Sequence, residues 1–196
     1  MTKHYRLMGL VTTSLGAALL LGGGGCGSTP ITTLTTTKEE TKAPVVAMST
    51  FANSKYHFEI QYPSDWMMND KDAATAVKLF SPLESAADTF RENINVIEKD
   101  YSQYTITLDQ YFQLNLKDIT AAPNFKQVES KNTTIAGQPA KKLVFMATLD
   151  DQNLEFLQYY ILKDKRTYII TCTTPPDTFK KFTPTCEKLI GTFKLK

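Results

Sequence analysis

The sequence is poor in the side chains that carry most enzyme chemistry. Among its 196 residues are two histidines, three cysteines and one tryptophan. No nucleophile-elbow pattern accompanies His57, and the sequence has no phosphate-binding glycine loop or zinc-ligand spacing. A single unpatterned histidine is typical of a surface position. The sequence therefore predicts no enzyme and no cofactor. An enzyme that uses His57 or a cysteine is the weaker alternative, and a metal is left undetermined.

The sequence also lacks an excess of either charge. Its 22 basic and 20 acidic residues give a formal net charge of +2, and Lys3 and Arg6 are the only charged residues before Cys26. A balanced chain without a cluster of lysine and arginine lacks the electrostatic footprint of a nucleic-acid-binding protein. We therefore predict no nucleic-acid partner.

Close pairs of carboxylates do not form a calcium loop. Asp70 with Asp72, and Asp150 with Asp151, lack the glycine and the later glutamate of such a loop. We predict that these residues lie in turns.

The N-terminus has the pattern of an export signal. Lys3 and Arg6 precede an apolar run from Leu7 to Leu21, which is followed by four glycines and Cys26. As a helix the run rises only about 22 Å, which is short of the roughly 30 Å hydrocarbon core of a membrane. A charged start, a short apolar run and small residues before the cleavage site therefore predict a signal peptide over residues 1–25.

Cys26 indicates how the mature chain begins. The segment resembles the signal of bacterial lipoproteins, in which the cysteine after small residues is diacylated, although Gly23 stands where those signals usually have leucine. An ordinary secretory signal that leaves Cys26 as a plain thiol is the alternative. Two acyl chains would anchor the protein stably. We predict attachment to the outer face of the cytoplasmic membrane or to the lumenal face of a thylakoid membrane.

The segment after Cys26 shows no pattern of a packed element. Residues 27–50 are rich in threonine, poor in aromatic residues and without an apolar period, which is typical of a flexible tether. We assign residues 26–55 to the lipidated cysteine and this tether. Residues 56–196 are predicted to form one folded domain.

Alternating and continuous apolar runs predict seven strands in that domain. They are residues 58–62, 76–80, 93–97, 128–135, 143–147, 156–162 and 168–172. Short turns join the last four, and such turns connect only antiparallel neighbours, so these strands form a meander. Because they are apolar on both sides, both faces of the sheet must be covered.

Two helices are predicted to cover the sheet. Thr107 and Gln110 have capping-box spacing, and apolar residues recur at helical spacing up to Ile119. These two helices, one on each face, give an α+β fold, namely an α/β/α sandwich with a central antiparallel sheet.

The second helix follows an apolar stripe near the C-terminus that contains Pro184. Because proline lacks an N–H and clashes with the preceding turn, we expect a short turn from Asp177. The helix would then be capped by Thr183, with Pro184 at its first position.

Cys172 and Cys186 are predicted to lie close together. Cys172 ends the last strand, and Cys186 lies on the helix that folds back over it. In an exported protein a disulfide between them would close a loop of about 15 residues and contribute roughly 3 kcal/mol in the chain-entropy description. Two buried free thiols are the alternative.

Several stretches of the folded domain resemble the PsbP family, the extrinsic subunit of photosystem II and its bacterial relatives. They follow one another along residues 56–196: Phe58–Trp66, Phe80–Pro82, Glu92–Val96, Ile135–Ala140, Tyr168–Thr171, Phe182–Pro184 and Phe193. The resemblance implies the same α/β/α sandwich and a non-enzymatic domain at a membrane surface.

The resemblance also implies a partner. In photosynthetic relatives the role is to support the assembly of photosystem II or its retention of calcium and chloride, and cyanobacterial members are lipid-anchored, as Cys26 predicts here. The expected partners are thus a membrane, through the lipid, and a membrane protein complex. An envelope lipoprotein with an unrelated protein partner or a small ligand is the alternative.

Overall fold

The structure, a computed structural model, describes residues 46–196. The predicted signal peptide, Cys26 and most of the predicted tether lie outside the described residues. Within them the elements are β1 Met48–Asn53, β2 Phe58–Pro63, β3 Met67–Asn69, β4 Val77–Phe80, β5 Asn93–Asp100, α1 Leu108–Ile119, β6 Lys126–Ile135, β7 Gln138–Leu149, β8 Gln152–Lys163, β9 Arg166–Thr174, α2 Phe179–Ile190 and β10 Lys194–Leu195.

Seven strands form one antiparallel sheet in the order β3-β4-β5-β9-β8-β7-β6. Strands β6 to β9 are the predicted meander. Their two-residue turns have positive φ at both central positions: Ala136 51°, Gly137 71°, Asp150 50°, Asp151 62°, Asp164 50° and Lys165 60°. Turns of this type match the right-handed twist of the strands, so they join neighbours without splaying them. Asp150 and Asp151 are turn residues, as predicted.

The two helices pack on opposite faces of this sheet. Tyr111 and Phe112 of α1 contact Tyr160 of β8, with ring centroids 6.4 and 5.1 Å apart. Cys186 of α2 belongs to the core cluster that contains Leu157 of β8. Leu157 and Tyr160 are three residues apart on one strand and therefore point to opposite faces. This confirms the predicted α/β/α sandwich.

A small three-stranded sheet, in the order β1-β2-β10, packs beside α2. Residues 48–53, which the sequence analysis assigns to the tether, form its strand β1, and β2 lies here instead of in the main sheet. The strand β1 has one buried apolar side chain, Phe51, which lies opposite Ile60. A single buried side chain gives no apolar period, so this strand could not be predicted from the sequence. It forms because β2 provides a partner strand.

The capping box at the start of α1 is present as predicted. The Gln110 backbone N–H donates to Thr107 Oγ1 at 3.2 Å, and the Thr107 backbone N–H donates to Gln110 Oε1 at 2.9 Å. These two bonds satisfy backbone donors that the first turn of a helix leaves free.

The predicted start of α2 is wrong, because the helix begins at Phe179 and contains Pro184. An earlier start lets Phe179 pack against the core. Pro184 is exposed, and the carbonyl that it leaves without a donor belongs to Lys180, which is exposed as well. The Thr183 hydroxyl, predicted to cap the helix, instead donates to the Phe179 carbonyl at 2.6 Å.

A cationic cleft as the candidate functional site

A cleft of about 770 Å³ opens where several turns meet β10. It is lined by His57, Ala136, Gln138, Lys163, Asp164, Arg166, Tyr168, Lys194, Leu195 and Lys196. Because the lysines and the arginine outnumber the one lining carboxylate, we call it the cationic cleft. Its volume lies within the roughly 300–1,000 Å³ of small-ligand sites.

Three turns shape the rim of the cationic cleft. Ala136 and Asp164 belong to the turns after β6 and β8, and His57, between β1 and β2, has a φ of 57°. The Lys196 N–H donates to the His57 carbonyl at 2.8 Å, which fixes the C-terminal strand against the His57 turn. Positive φ is unfavourable for alanine, whose conformation here belongs to the two-residue turn, and it is more readily adopted by histidine.

Carboxylates outside the lining hold the cations of the cleft in place. The Glu59 carboxylate forms ion pairs with the Nζ atoms of Lys194, at 3.2 Å, and Lys196, at 2.5 Å. The hydrogen bond from Lys196, followed by that from Lys194, lowers the pKa of Glu59 below its ordinary value. Two lysines thus share this one side-chain carboxylate.

On the other side, Arg166 pairs with Glu98, a carboxylate whose side chain is 7% exposed. That hydrogen bond raises the pKa of Arg166 above its ordinary value. A guanidinium held by a buried partner is oriented in advance, and the fork shape of arginine suits carboxylate and phosphate groups.

The floor of the cleft is apolar. Tyr168 is buried, and its hydroxyl donates to the Tyr56 carbonyl at 3.1 Å. Its ring packs edge-on against Phe58 and Phe193, which stack on each other with centroids 5.1 Å apart. Burial, followed by the nearby Glu98, raises the pKa of Tyr168 to about 12, so the phenol is neutral. An apolar floor with a cationic rim suits a ligand that carries an anionic group.

His57 is exposed, as predicted for a surface histidine. Over residues 46–196 no three histidine, cysteine, aspartate or glutamate side chains come together as metal ligands would. Nor does that part of the chain contain a helix with the length and apolar character to cross a membrane.

The sequence pattern does not predict the cleft. It indicates only a turn at Lys163–Arg166 and no strand at Lys194–Leu195. The available signal was weak: Lys194 and Lys196 alternate as side chains on one face of a strand do. Their meeting with Lys163 and Arg166 is a property of the tertiary structure.

The predicted site residues lie elsewhere. In the structure a disulfide joins Cys172 of β9 to Cys186 of α2, with Cα atoms 6.1 Å apart, and both residues are buried in the core. Cys26 lies outside the described residues. The two cysteines therefore belong to the packing between sheet and helix, away from the cationic cleft.

Solved structures support the fold. Cyanobacterial PsbP (CyanoP) from Synechocystis has a TM-score of 0.58 and 16% identity, covering 79% of this chain and 95% of that chain. LpqN of Mycobacterium tuberculosis, described as involved in cell envelope biogenesis, has a TM-score of 0.57 and 10% identity, covering 79% and 87%. A protein of unknown function from Pseudomonas aeruginosa, described as a putative regulator, has a TM-score of 0.54 and 19% identity, covering 74% and 94%.

Identities this low establish similarity of fold alone. No curated protein matches the chain. The profile of the PsbP-like protein family, however, matches residues 31–195, which includes nearly all of the described residues. The chain therefore belongs to the PsbP-like protein family.

Proposed function

We propose that this protein is a lipid-anchored, non-catalytic accessory domain that binds a membrane protein complex at the membrane surface. The family membership carries this proposal, because the family profile spans the folded domain and the family is generally non-catalytic. The signal pattern that ends at Cys26 supplies the attachment. The cationic cleft supplies a contact for an anionic group of the partner.

Geometry within residues 46–196 supports binding over catalysis. His57 is exposed at the cleft rim, and the two cysteines of the domain are bonded to each other. No general base with a hydrogen-bonded nucleophile, which acyl transfer needs, is formed by these residues.

The anchor is tested by removing the thiol that carries the lipid. Cys26→Ser should transfer the protein from the membrane fraction to the supernatant of cells that express it, because the acyl chains attach to the thiol. Ser28→Ala, two residues away, should leave the protein in the membrane fraction. Retention of Cys26→Ser in the membrane would refute the lipid attachment.

For the partner, we propose photosystem II in a photosynthetic host, where the protein would support assembly or stability of the complex. The likeness to cyanobacterial PsbP supports this choice. Affinity purification of the anchored protein from mildly solubilised membranes should then recover photosystem II subunits. Recovery of the bait without these subunits, from a host that has the photosystem, would contradict the proposal.

The alternative is an envelope lipoprotein with an unrelated protein partner or a small ligand. The likeness to LpqN, at nearly the same TM-score, favours it. The same purification distinguishes the two, because an envelope protein would be recovered with other envelope components and in hosts without a photosystem.

A further inference from the structure

Most exposed large apolar side chains of the described residues lie at one corner of the domain. Eight such side chains are exposed. Five of them, which we call the apolar corner, are Val46, Met48, Met67, Met68 and Leu83. Contiguous apolar side chains on a surface mark contacts with a membrane or a protein.

Backbone bonds bring the corner together around the turn between β2 and β3. Met48 lies opposite Pro63 in the small sheet. Next to this pair, the Ser64 N–H donates to the Ala47 carbonyl at 2.8 Å. The chain then turns into β3, which begins with the exposed Met67.

The remaining members of the corner lie on the edge strand β3 and just after β4, and the side chains of Met67 and Met68, being consecutive, leave the two opposite faces of that edge. Met67 is opposite Phe80 and Met68 opposite Leu79, so both flank the end of β4. Leu83 follows β4 by three residues at that end. The three exposed apolar residues outside the corner lie apart from it: Tyr104 precedes α1, Leu114 is on α1, and Val128 is on β6, at the opposite edge of the main sheet from β3.

We propose that the apolar corner rests in the interfacial layer of the bilayer that holds the lipid anchor; this inference rests on the anchored state proposed above. The stretch outside the described residues joins the domain at Val46, which is itself part of the corner. Residues 27–45, which the sequence predicts as a tether, number 19, and a chain of that length reaches at most about 65 Å. The anchor therefore keeps the corner within reach of the bilayer at a high effective concentration, so weak apolar contacts suffice.

The chemistry of the corner favours shallow contact. Methionine side chains are flexible and adapt to irregular apolar surroundings. Asp65, exposed in the turn at the centre of the corner, has to stay in water or among headgroups. The corner therefore fits at the boundary between the headgroups and the acyl chains, and not in the middle of the hydrocarbon layer.

The position of the only tryptophan gives a direct test. Trp66 is 8% exposed and directly precedes Met67. The full lipidated chain is reconstituted into phosphatidylcholine vesicles with bromine atoms placed either near the headgroup end or near the methyl end of the acyl chains. We expect bromine near the headgroup end to quench Trp66 emission more strongly.

Matched variants separate the corner from the anchor. Met48→Ser with Leu83→Ser removes roughly a third of the exposed apolar area of the corner, so the contact with lipid weakens and the quenching should fall. Leu114→Ser removes a side chain on α1 that is more exposed than Met48 or Leu83, and it should leave the quenching unchanged. Bromine-free vesicles correct each variant for its own emission.

Flotation of the vesicles distinguishes the two possible failures. A chain that does not float with the vesicles overturns both the anchor and the contact. A chain that floats, but whose Trp66 emission is the same with and without bromine, overturns only the contact of the corner with lipid.

Discussion

At the residue scale, the hydroxyl of Thr107 shows how much a single side chain contributes to the start of α1. Its hydrogen bond satisfies a backbone donor of the first turn. Thr107→Ala should lower the free energy of unfolding by about 1 kcal/mol, measured by urea denaturation. Thr105→Ala, at an exposed position two residues earlier, should change it by less than about 0.5 kcal/mol. Equal losses in the two variants would contradict the capping role.

The carboxyl group of Asp72 should make stability depend on pH in the acid range. Its ion pair with Lys78 at 2.5 Å, followed by the Ala74 N–H at 2.8 Å, lowers its pKa below the ordinary 3.8. A lowered carboxyl pKa stabilises the fold above the ordinary value, and this stability is lost as the pH falls through the folded-state pKa. Asp72→Asn should therefore be less stable than the parent by a few tenths to about 1 kcal/mol at pH 7, and the difference should shrink as the pH falls below 3.8.

Glu155 provides a comparison of opposite sign. Burial raises its pKa above the ordinary 4.5, so the ionised form costs stability when the pH rises above that value. Glu155→Gln should be more stable than the parent at pH 7 and equal to it in acid. Urea titrations of both variants at several pH values check the two signs, and a parallel shift at every pH would refute the titration argument.

At the scale of elements, the turn between β6 and β7 has one unfavourable residue. Ala136 has a φ of 51°, followed by Gly137 at 71°. Asparagine tolerates this conformation far better than alanine, and Asn-Gly is the preferred pair for such a turn. Ala136→Asn should raise the free energy of unfolding by roughly 0.5–1 kcal/mol in thermal or urea denaturation. Gly137→Ala should lower it, and a gain in both variants would contradict the assigned turn.

The bond between Cys172 and Cys186 ties α2 to β9 across a sequence separation of 14 residues. Thiol labelling of denatured, unreduced Cys26→Ser protein should find no free thiol. Cys172→Ala with Cys186→Ala should cost roughly 3 kcal/mol, because the open chain gains entropy when unfolded. Two labelled thiols in the denatured protein would rule out the bond.

Elements that carry their own pattern could be predicted from the sequence. The α1 helix has a cap and an apolar stripe, and the meander from β6 to β9 has long apolar runs between short turns. The strands β1, β3 and β10 could not, because β3 and β10 have only three and two residues and β1 buries a single apolar side chain, so none shows a strand period of its own. The predicted start of α2 is wrong because the burial of Phe179 against the core outweighs the local cost of Pro184 inside the helix.

At the scale of the whole molecule, the small sheet places two different surfaces at its two ends. Its strand β1 begins at Met48, in the apolar corner, and leads towards the His57 turn at the cationic cleft. A domain whose corner rests on the bilayer would therefore hold the cleft away from the lipid. This arrangement suits a protein that connects its membrane to a partner standing above it. The cleft could not be predicted from the sequence, since its cations come from strands far apart in the chain.

The cleft predicts a partner that presents acidic groups. Lys163 lies on its rim and, among residues 46–196, forms an ion pair with the exposed Asp164 alone, at 3.4 Å, so reversing its charge should disturb the fold little. A photo-crosslinking residue at position 138, in the lining, should yield an adduct in native membranes that decreases as the salt concentration rises. Lys163→Glu should reduce the adduct several-fold because it repels the acidic partner, whereas Lys71→Glu, outside the cleft, should not. The same adduct yield in Lys163→Glu and at high salt would show that the partner does not bind through the charges of the cleft.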